Sequence, residues 1–304
     1  FEYFSGYGFN KSHAVSYSML SYQCAYLLNY FPIEWMAAFL DKEPESRKEK
    51  AITIAKGAGF NIVPVDVNRS GFVWEIEGGN TLIQPLTSVK GLGVKAIEQI
   101  VEHRPFKTIE EFLFHEHVVY SKLNKKALDV LVRSQALNCL IDSRFSGLKH
   151  FWSTVAVDRA RKIEKFHENI LKYEPEEEFE EREKIENIVS LTGLYPFDMV
   201  LNNGVMKSLN EKMIPALSEF DPDLMVAWFI LRNVISRKTK NGKEYWILEC
   251  IDNAGGTNSI RCWGVRPDDK RRIHLNRIYM ARLDHSQQWG FSTRSIRHNF
   301  RMLG

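Results

Sequence analysis

Apolar positions at helical spacing dominate the first part of the chain. Ala14, Tyr17, Leu20/Ser21, Cys24 and Leu27/Leu28 share one side of a 3.6-residue repeat, which predicts a long helix with one buried face. Ser12 is its predicted N-cap, Gly6 and Gly8 form an aromatic-rich turn before it, and Pro32 forbids its continuation. A second apolar run, Ile33–Leu40, is followed by the polar stretch DKEPESRKEK and a predicted helix Ala51–Ala58 closed by Gly57/Gly59. The pattern then changes to strand-like: Phe72–Glu77 and Thr81–Pro85 flank Gly78-Gly79-Asn80, a hairpin signal. Gly91 and Gly93 sit between two expected short helices, and Ser146–Val189 reads as helical and charged. The last part holds five strand signals: Leu224–Arg237, Glu244–Ile251, Ser259–Val265, Asn276–Asp284 and Trp289–Ile296. Turns are expected at Lys240-Asn241-Gly242-Lys243 and Asp252–Gly256. The fold class is therefore multidomain: mainly α, followed by an all-β barrel of the small Greek-key kind.

Composition changes this picture little. The 304 residues suffice for two or three cores, and a net charge of +3 names no partner. Its distribution says more. Residues 221–304 hold 15 Lys/Arg against 8 Asp/Glu, while residues 161–190 hold 6 against 10, so a basic module follows an acidic, solvated helical one. The four cysteines are far apart, with no C-x-x-C pair, so neither a zinc site nor a disulfide framework is expected. No apolar run is long enough for a membrane span, and no signal peptide is visible. A reduced, cytoplasmic protein is the expectation. The start at Phe1, inside a motif, reads as a cut-out or processed piece.

Three places carry candidate chemistry. Lys11, Ser12 and His13 lie at the positive end of the first helix, which is either a phosphate site or an ordinary capped start. In Val89–Ile97, Gly91 and Gly93 would bring bare backbone N–H groups to a duplex phosphate, with Lys90 and Lys95 adding charge; the plain alternative is a helix–helix corner. In the barrel, Trp246, Leu248 and Cys250 share one face while Tyr245, Ile247 and Glu249 share the other. On the next strand Ile260 and Cys262 oppose Arg261 and Trp263. Likeness to OB domains puts Tyr245, Ile247, Arg261 and Trp263 where single strands stack, with Lys238, Lys240 and Lys243 tracking the backbone. Trp246 and Trp289 are expected in the core. His103, His115 and His117 have no ligand-like spacing with acidic or cysteine partners, and Asp66, Asp129, Asp142 and Asp158 are isolated, so no metal or catalytic group is expected in this chain.

GYGFNKSHA, SYQCAYL and YFPIEWMAAFL together resemble the fingers of the C-family replicative polymerase, the bacterial DNA polymerase III alpha subunit. The phrase NIVPVDVNRSGFVWEIEGGNTLIQPLTSVKGLG is similar to the segment joining those fingers to a tandem helix-hairpin-helix domain. Ser121–Val132 looks like the second half of that tandem, with Lys125 and Lys126 near its turn. There the family commonly ends in a Gly-Ala-Phe-like phrase and this chain has Ser134-Gln135-Ala136-Leu137, which leaves phosphate contact by the second unit open. Thr192–Asp198 resembles, in altered form, the connector before the family's OB domain.

The resemblance implies four parts: the end of the fingers (1–62), a connector and tandem hairpin domain (63–145), a charged helical linker (146–220) and an OB-fold domain (221–304). It implies a part of a DNA-directed DNA polymerase, a nucleotidyltransferase acting in DNA replication. Its partners would be primer–template DNA, the incoming deoxynucleotide, the sliding clamp and other replisome subunits. The Mg²⁺ ions of nucleotidyl transfer would be held by carboxylates of a palm supplied by upstream sequence or a second chain, so this part alone is expected to be inactive. The alternative is a non-catalytic DNA-binding scaffold built from hairpin and OB modules.

Overall fold

The computed structural model describes residues 10–173, 178–201, 203–253 and 257–303. The turn at Gly6 and Gly8 lies outside the described residues, as does part of the turn expected at Asp252–Gly256.

Helix α1 spans Lys11–Tyr30 and is capped by Asn10, not Ser12. Asn10 has the extended backbone a cap needs, and its Oδ1 accepts the Ser12 N–H at 3.0 Å. Ser12 lies inside the first turn, where its Oγ donates to the same oxygen at 2.6 Å. The buried face expected for α1 is absent: none of its residues is buried. Tyrosines and leucines are spread around its circumference, and Tyr17 and Tyr22 are 59% and 71% exposed. The helix stops where expected, and Pro32 opens α2 (Pro32–Lys42) at the position where its missing N–H costs nothing.

Helix α3 spans Lys48–Gly57, starting earlier than the apolar pattern suggested because Lys48, Glu49 and Lys50 continue it. Ile33, Met36, Leu40, Ile52 and Ala55 from α2 and α3 meet Trp74 and Leu82 in a small core. Trp74 and Leu82 belong to the strand-rich segment: β1 (Asn61–Val63) runs parallel to β3 (Thr81–Ile83), and β2 (Glu75–Glu77) pairs antiparallel with β3 around the expected turn.

A larger core follows, from Val65 to Ile170. The first hairpin helix is reduced to one 3-10 turn, Leu86–Ser88, followed by α4 (Val94–His103), α5 (Ile109–Phe114) and α6 (Lys125–Arg133). Helix α7 (Leu148–Trp152) continues into a π-turn at Ser153–Val157, and α8 spans Ile163–Lys172. Phe151, Val155 and Phe166 from this stretch are fully buried against the hairpin helices. Helix α9 (Glu181–Thr192) exposes its acidic face as expected while burying Ile185 and Ile188. It ends at Gly193, whose φ of +70° favours glycine and where a Cβ would lie 3.4 Å from the Glu49 nitrogen. Short helices α10 (Phe197–Val200) and α11 (Asn203–Glu211) lead to the sheet.

Among the described residues seven strands, not five, form that sheet: β4 (Val226–Lys238), β5 (Glu244–Ile251), β6 (Thr257–Cys262), β7 (Ile278–Arg282), β8 (Asp284–Ser286), β9 (Gly290–Thr293) and β10 (Phe300–Leu303), in the order β10-β7-β4-β5-β6-β9-β8. The expected fourth strand breaks at buried Leu283. Its first half pairs with β4 and its second with β9, so the sheet curls back on itself in an OB-like fold, with β6 and β9 parallel. Ala227, Phe229 and Leu231 of β4 enter the barrel core and then Val234 does, a change from odd to even positions. The ladder to β5 shifts register at that point, between Leu231 and Asn233. The extra residue is Arg232, and the bulge turns its side chain out of the sheet. Its Nε donates to Glu49 of α3 at 2.6 Å, and its guanidinium lies 4.9 Å from the Tyr195 ring centroid.

Candidate nucleic-acid interface

The two hairpin units face one another. Gly91 has a φ of +89°, a conformation that favours glycine, and Gly93 is the N-cap of α4. Asn124 caps α6, accepting the Ala127 N–H at 3.0 Å. Both helix starts open onto a depression of about 570 Å³ lined by Gly91, Gly93, Lys95, Lys122, Asn124 and Lys126. Three ammonium groups and two positive helix ends thus border one concave surface, the arrangement that receives a phosphate. Lys90 is fixed through its backbone, which donates to the Leu191 carbonyl of α9 at 2.8 Å. Lys125 does not line the depression; its Nζ donates to the Val157 carbonyl at 2.6 Å. Lys122 and Asn124 join the depression beyond the residues expected there, and the signal for them in the sequence is a capping asparagine flanked by lysines.

Gln135 occupies the place where the second unit departs from the resembled pattern, and its φ is +64°. The backbone has therefore kept the left-handed turn that glycine would favour. Left-handed strain costs roughly 1–2 kcal/mol, more than the roughly 0.5–1 kcal/mol of extra entropy glycine loses on folding. Gln135→Gly is expected to raise stability by about 0.5–1 kcal/mol, read as a higher denaturant midpoint at unchanged slope.

Lys11, Ser12 and His13 are exposed at the start of α1 and do not line the hairpin depression. One of the first-turn N–H groups, that of Ser12, is already bonded to Asn10. His13 lies against Tyr17, with ring centroids 4.2 Å apart.

On the barrel the alternation sorts as expected: Trp246, Leu248, Cys250, Ile260 and Cys262 are buried together. On the outer face Tyr245 and Trp263 stack at 4.7 Å, and Ile247 pairs with Arg261 across the β5–β6 ladder. Arg261 donates to the Trp289 carbonyl and lies 5.7 Å from the Trp289 ring. Trp289 is therefore not a core residue; it is 60% exposed, because the strand begins at Gly290 and leaves it in the preceding turn. Lys238 pairs with Glu244 in the β4–β5 ladder, and Lys240 and Lys243 sit in the turn between, where the Thr239 N–H donates to the Lys243 carbonyl at 2.9 Å. Hydrogen bonds from Ser236 and Trp246 hold the Glu244 carboxyl below its usual pKa, so a carboxylate stays among these lysines.

The rings of His103, His115 and His117 gather with centroids 5.2–6.0 Å apart, which their spacing did not foretell. Among the described residues no group of three His, Cys, Asp or Glu side chains could hold a metal ion, and no helix is long and apolar enough to cross a membrane. All four cysteines are free thiols.

Comparison with known proteins adds to this geometry. The family described as "Helix-hairpin-helix motif" matches residues 59–147. The chain is 29% identical over 289 residues, 92% of its length, to the DNA polymerase III subunit alpha of Aquifex aeolicus, of which the match covers 24%. It is 42% identical over 147 residues to that of Thermus aquaticus (46% of this chain, 12% of the relative). It is 36% identical over 166 residues to that of Pseudomonas aeruginosa (52% and 14%). The chain thus spans about a quarter or less of the length of these relatives. Hairpin motif, OB-like sheet and relatives agree: the chain is similar to a carboxyl-terminal portion of the bacterial DNA polymerase III alpha subunit.

Proposed function

We propose that this chain is the DNA- and nucleotide-contacting carboxyl-terminal part of a replicative DNA polymerase, working with a palm that carries the catalytic carboxylates. The observation that supports this most is the hairpin depression, where Gly91 and Gly93 meet Lys95, Lys122 and Lys126 at two helix starts. A duplex phosphate would accept from the backbone N–H groups there while the lysines neutralise its neighbours, a contact independent of base sequence. The outer face of the barrel, with Tyr245, Ile247, Arg261, Trp263 and Trp289, would hold single-stranded template, and Lys238, Lys240 and Lys243 would follow its backbone. Lys11, Ser12 and His13 would face the incoming nucleotide's phosphates.

The exposed apolar side chains around α1 fit the same reading, since a concentration of exposed apolar surface marks a contact surface. Here the palm and the rest of the fingers would cover it. The two Mg²⁺ ions belong to that palm, where they would activate the primer 3′-hydroxyl and stabilise the leaving pyrophosphate. The sliding clamp and other replisome subunits would be further partners, met in the cytoplasm.

The test is primer extension with magnesium and all four deoxynucleotides, beside duplex binding followed by fluorescence anisotropy. This chain alone is expected to bind primed template and extend nothing, with extension restored when a palm-bearing chain is supplied. Extension without a palm, or failure to bind primed template, would overturn the reading. Binding with no extension in any palm-supplemented mixture would leave the scaffold instead.

A further inference from the structure

Beyond the hairpin depression lies a second concentration of positive charge. The loop that forms one wall of the depression contributes Val119, Ser121 and Lys122, and Tyr120 lies between them. The Arg159 guanidinium sits 3.9 Å from the Tyr120 ring centroid and that of Arg161 5.2 Å from it. Arg159 is only 6% exposed. It donates to the Tyr120 carbonyl at 3.0 Å, yet its Nε is buried without any acceptor. No carboxylate among the described residues pairs with it, and burial lowers its pKa to about 10.

The next element compounds the imbalance. Helix α8 has Lys162 as its N-cap, which makes no side-chain capping bond, and Arg161 and Lys162 are both exposed beside that open start. Nearby acidic groups do not neutralise it. Asp158 accepts from the Tyr173 hydroxyl at 3.3 Å, and Glu164 is an exposed first-turn residue of the helix itself. The Arg159 guanidinium has a carbonyl and a ring but, among the described residues, no carboxylate beside it, and the α8 N-cap makes no side-chain bond, so the field at this place is positive.

We propose that Arg159, Arg161 and Lys162, gathered at the open start of α8 on the ring of Tyr120, form a second seat for a backbone phosphate of the same duplex. The inference rests on the duplex reading of the hairpin depression and extends it along the surface through Lys122. Guanidinium groups suit the role, because their planar fork takes phosphate oxygens two at a time. Arg161 and Lys162 make the contact, and Arg159 keeps Tyr120 and the local field in place from behind. A free nucleoside triphosphate offers the same chemistry, so the experiment separates the two sources.

Arg161→Gln in the full chain is the appropriate variant, since Arg161 is exposed and its change should leave the melting temperature alone. Affinity for a blunt duplex is measured by anisotropy across a salt series, beside affinity for an unpaired oligonucleotide and for dATP. Duplex affinity is expected to fall about tenfold, the size of one charge-assisted hydrogen bond, whatever the sequence. The slope of log affinity against log salt should drop by about 0.9. Binding of the single strand and of dATP should not change. An unaltered duplex slope in a chain that binds duplex would overturn this seat and leave the hairpin reading standing. A loss confined to dATP would reassign the seat to free nucleotide and overturn it as a duplex contact. A wild-type chain that binds no duplex at all would remove both readings.

Discussion

Gly93→Ala will fold as the parent does and still lose duplex affinity by about 10–100-fold, the effect of one or two charge-assisted bonds to a phosphate. Its backbone angles suit any residue, and a Cβ built there meets nothing within 4 Å. The methyl group would occupy only the open space through which a phosphate approaches the backbone. Gly91→Ala is a different experiment. At a φ of +89° an L side chain is strained, by roughly 1–2 kcal/mol, and its Cβ would lie 3.6 Å from Val130 and 3.8 Å from Lys126. It should therefore lower both stability and duplex affinity, whereas Gly93→Ala separates them. Single-strand binding should survive in both variants, because the barrel face shares no residue with the depression. Equal loss of duplex and single-strand affinity in Gly93→Ala would remove the division of labour between the two modules.

The barrel offers the complementary contrast. Trp246→Ala is expected to cost about 3–5 kcal/mol, because the side chain is 2% exposed and packs within the barrel core. Trp263→Ala should cost far less, about 0.5–1.5 kcal/mol for the lost stack on Tyr245. It should weaken single-strand binding by about 1–3 kcal/mol for each base that stacks there. Trp289→Ala should leave the melting temperature unchanged and weaken the same binding, since its ring is exposed beside Arg261. Thermal unfolding and titration with an unpaired oligonucleotide read both properties. If Trp263→Ala and Trp289→Ala both bind like the parent, the outer face is not a platform for bases.

What was legible in the sequence was whatever depended on local alternation or on a single special residue. Trp246, Leu248 and Cys250 could be assigned to the barrel core because strand side chains alternate strictly. Pro32, Gly78 and Gly91 marked a helix junction, a hairpin and a turn through their own backbone preferences. The misreadings share a cause as well. Asn10 and Ser12 are equally able caps two places apart; the structure gives Asn10 the extended backbone of a cap and Ser12 a place inside the first turn. The alternation places Trp289 in a strand, which in the structure begins one residue later, at a glycine with a φ of +67°. The exposure of α1 could not be read from periodicity, since apolar positions on a helix carry no information about what covers them.

Pairings between distant residues were out of reach. Arg232 and Glu49 are separated by 183 positions, and nothing in either neighbourhood announces the other. Arg159 and Tyr120 are 39 apart, Tyr120 just before the second hairpin unit and Arg159 in the charged helical stretch. Their meeting follows from the burial of Phe151, Val155 and Phe166 against the hairpin helices, which folds the supposed linker back onto them.

The single additional residue in β4 has a geometric consequence for the whole assembly. Without Arg232 the two halves of that strand would be in step, Val234 would swing to the opposite side of the sheet, and the barrel would lose its ion pair with Glu49 of α3. On the function proposed above, the angle between a platform for unpaired template and a seat for paired DNA would depend on an insertion of one amino acid, and not on the length of a connecting segment alone.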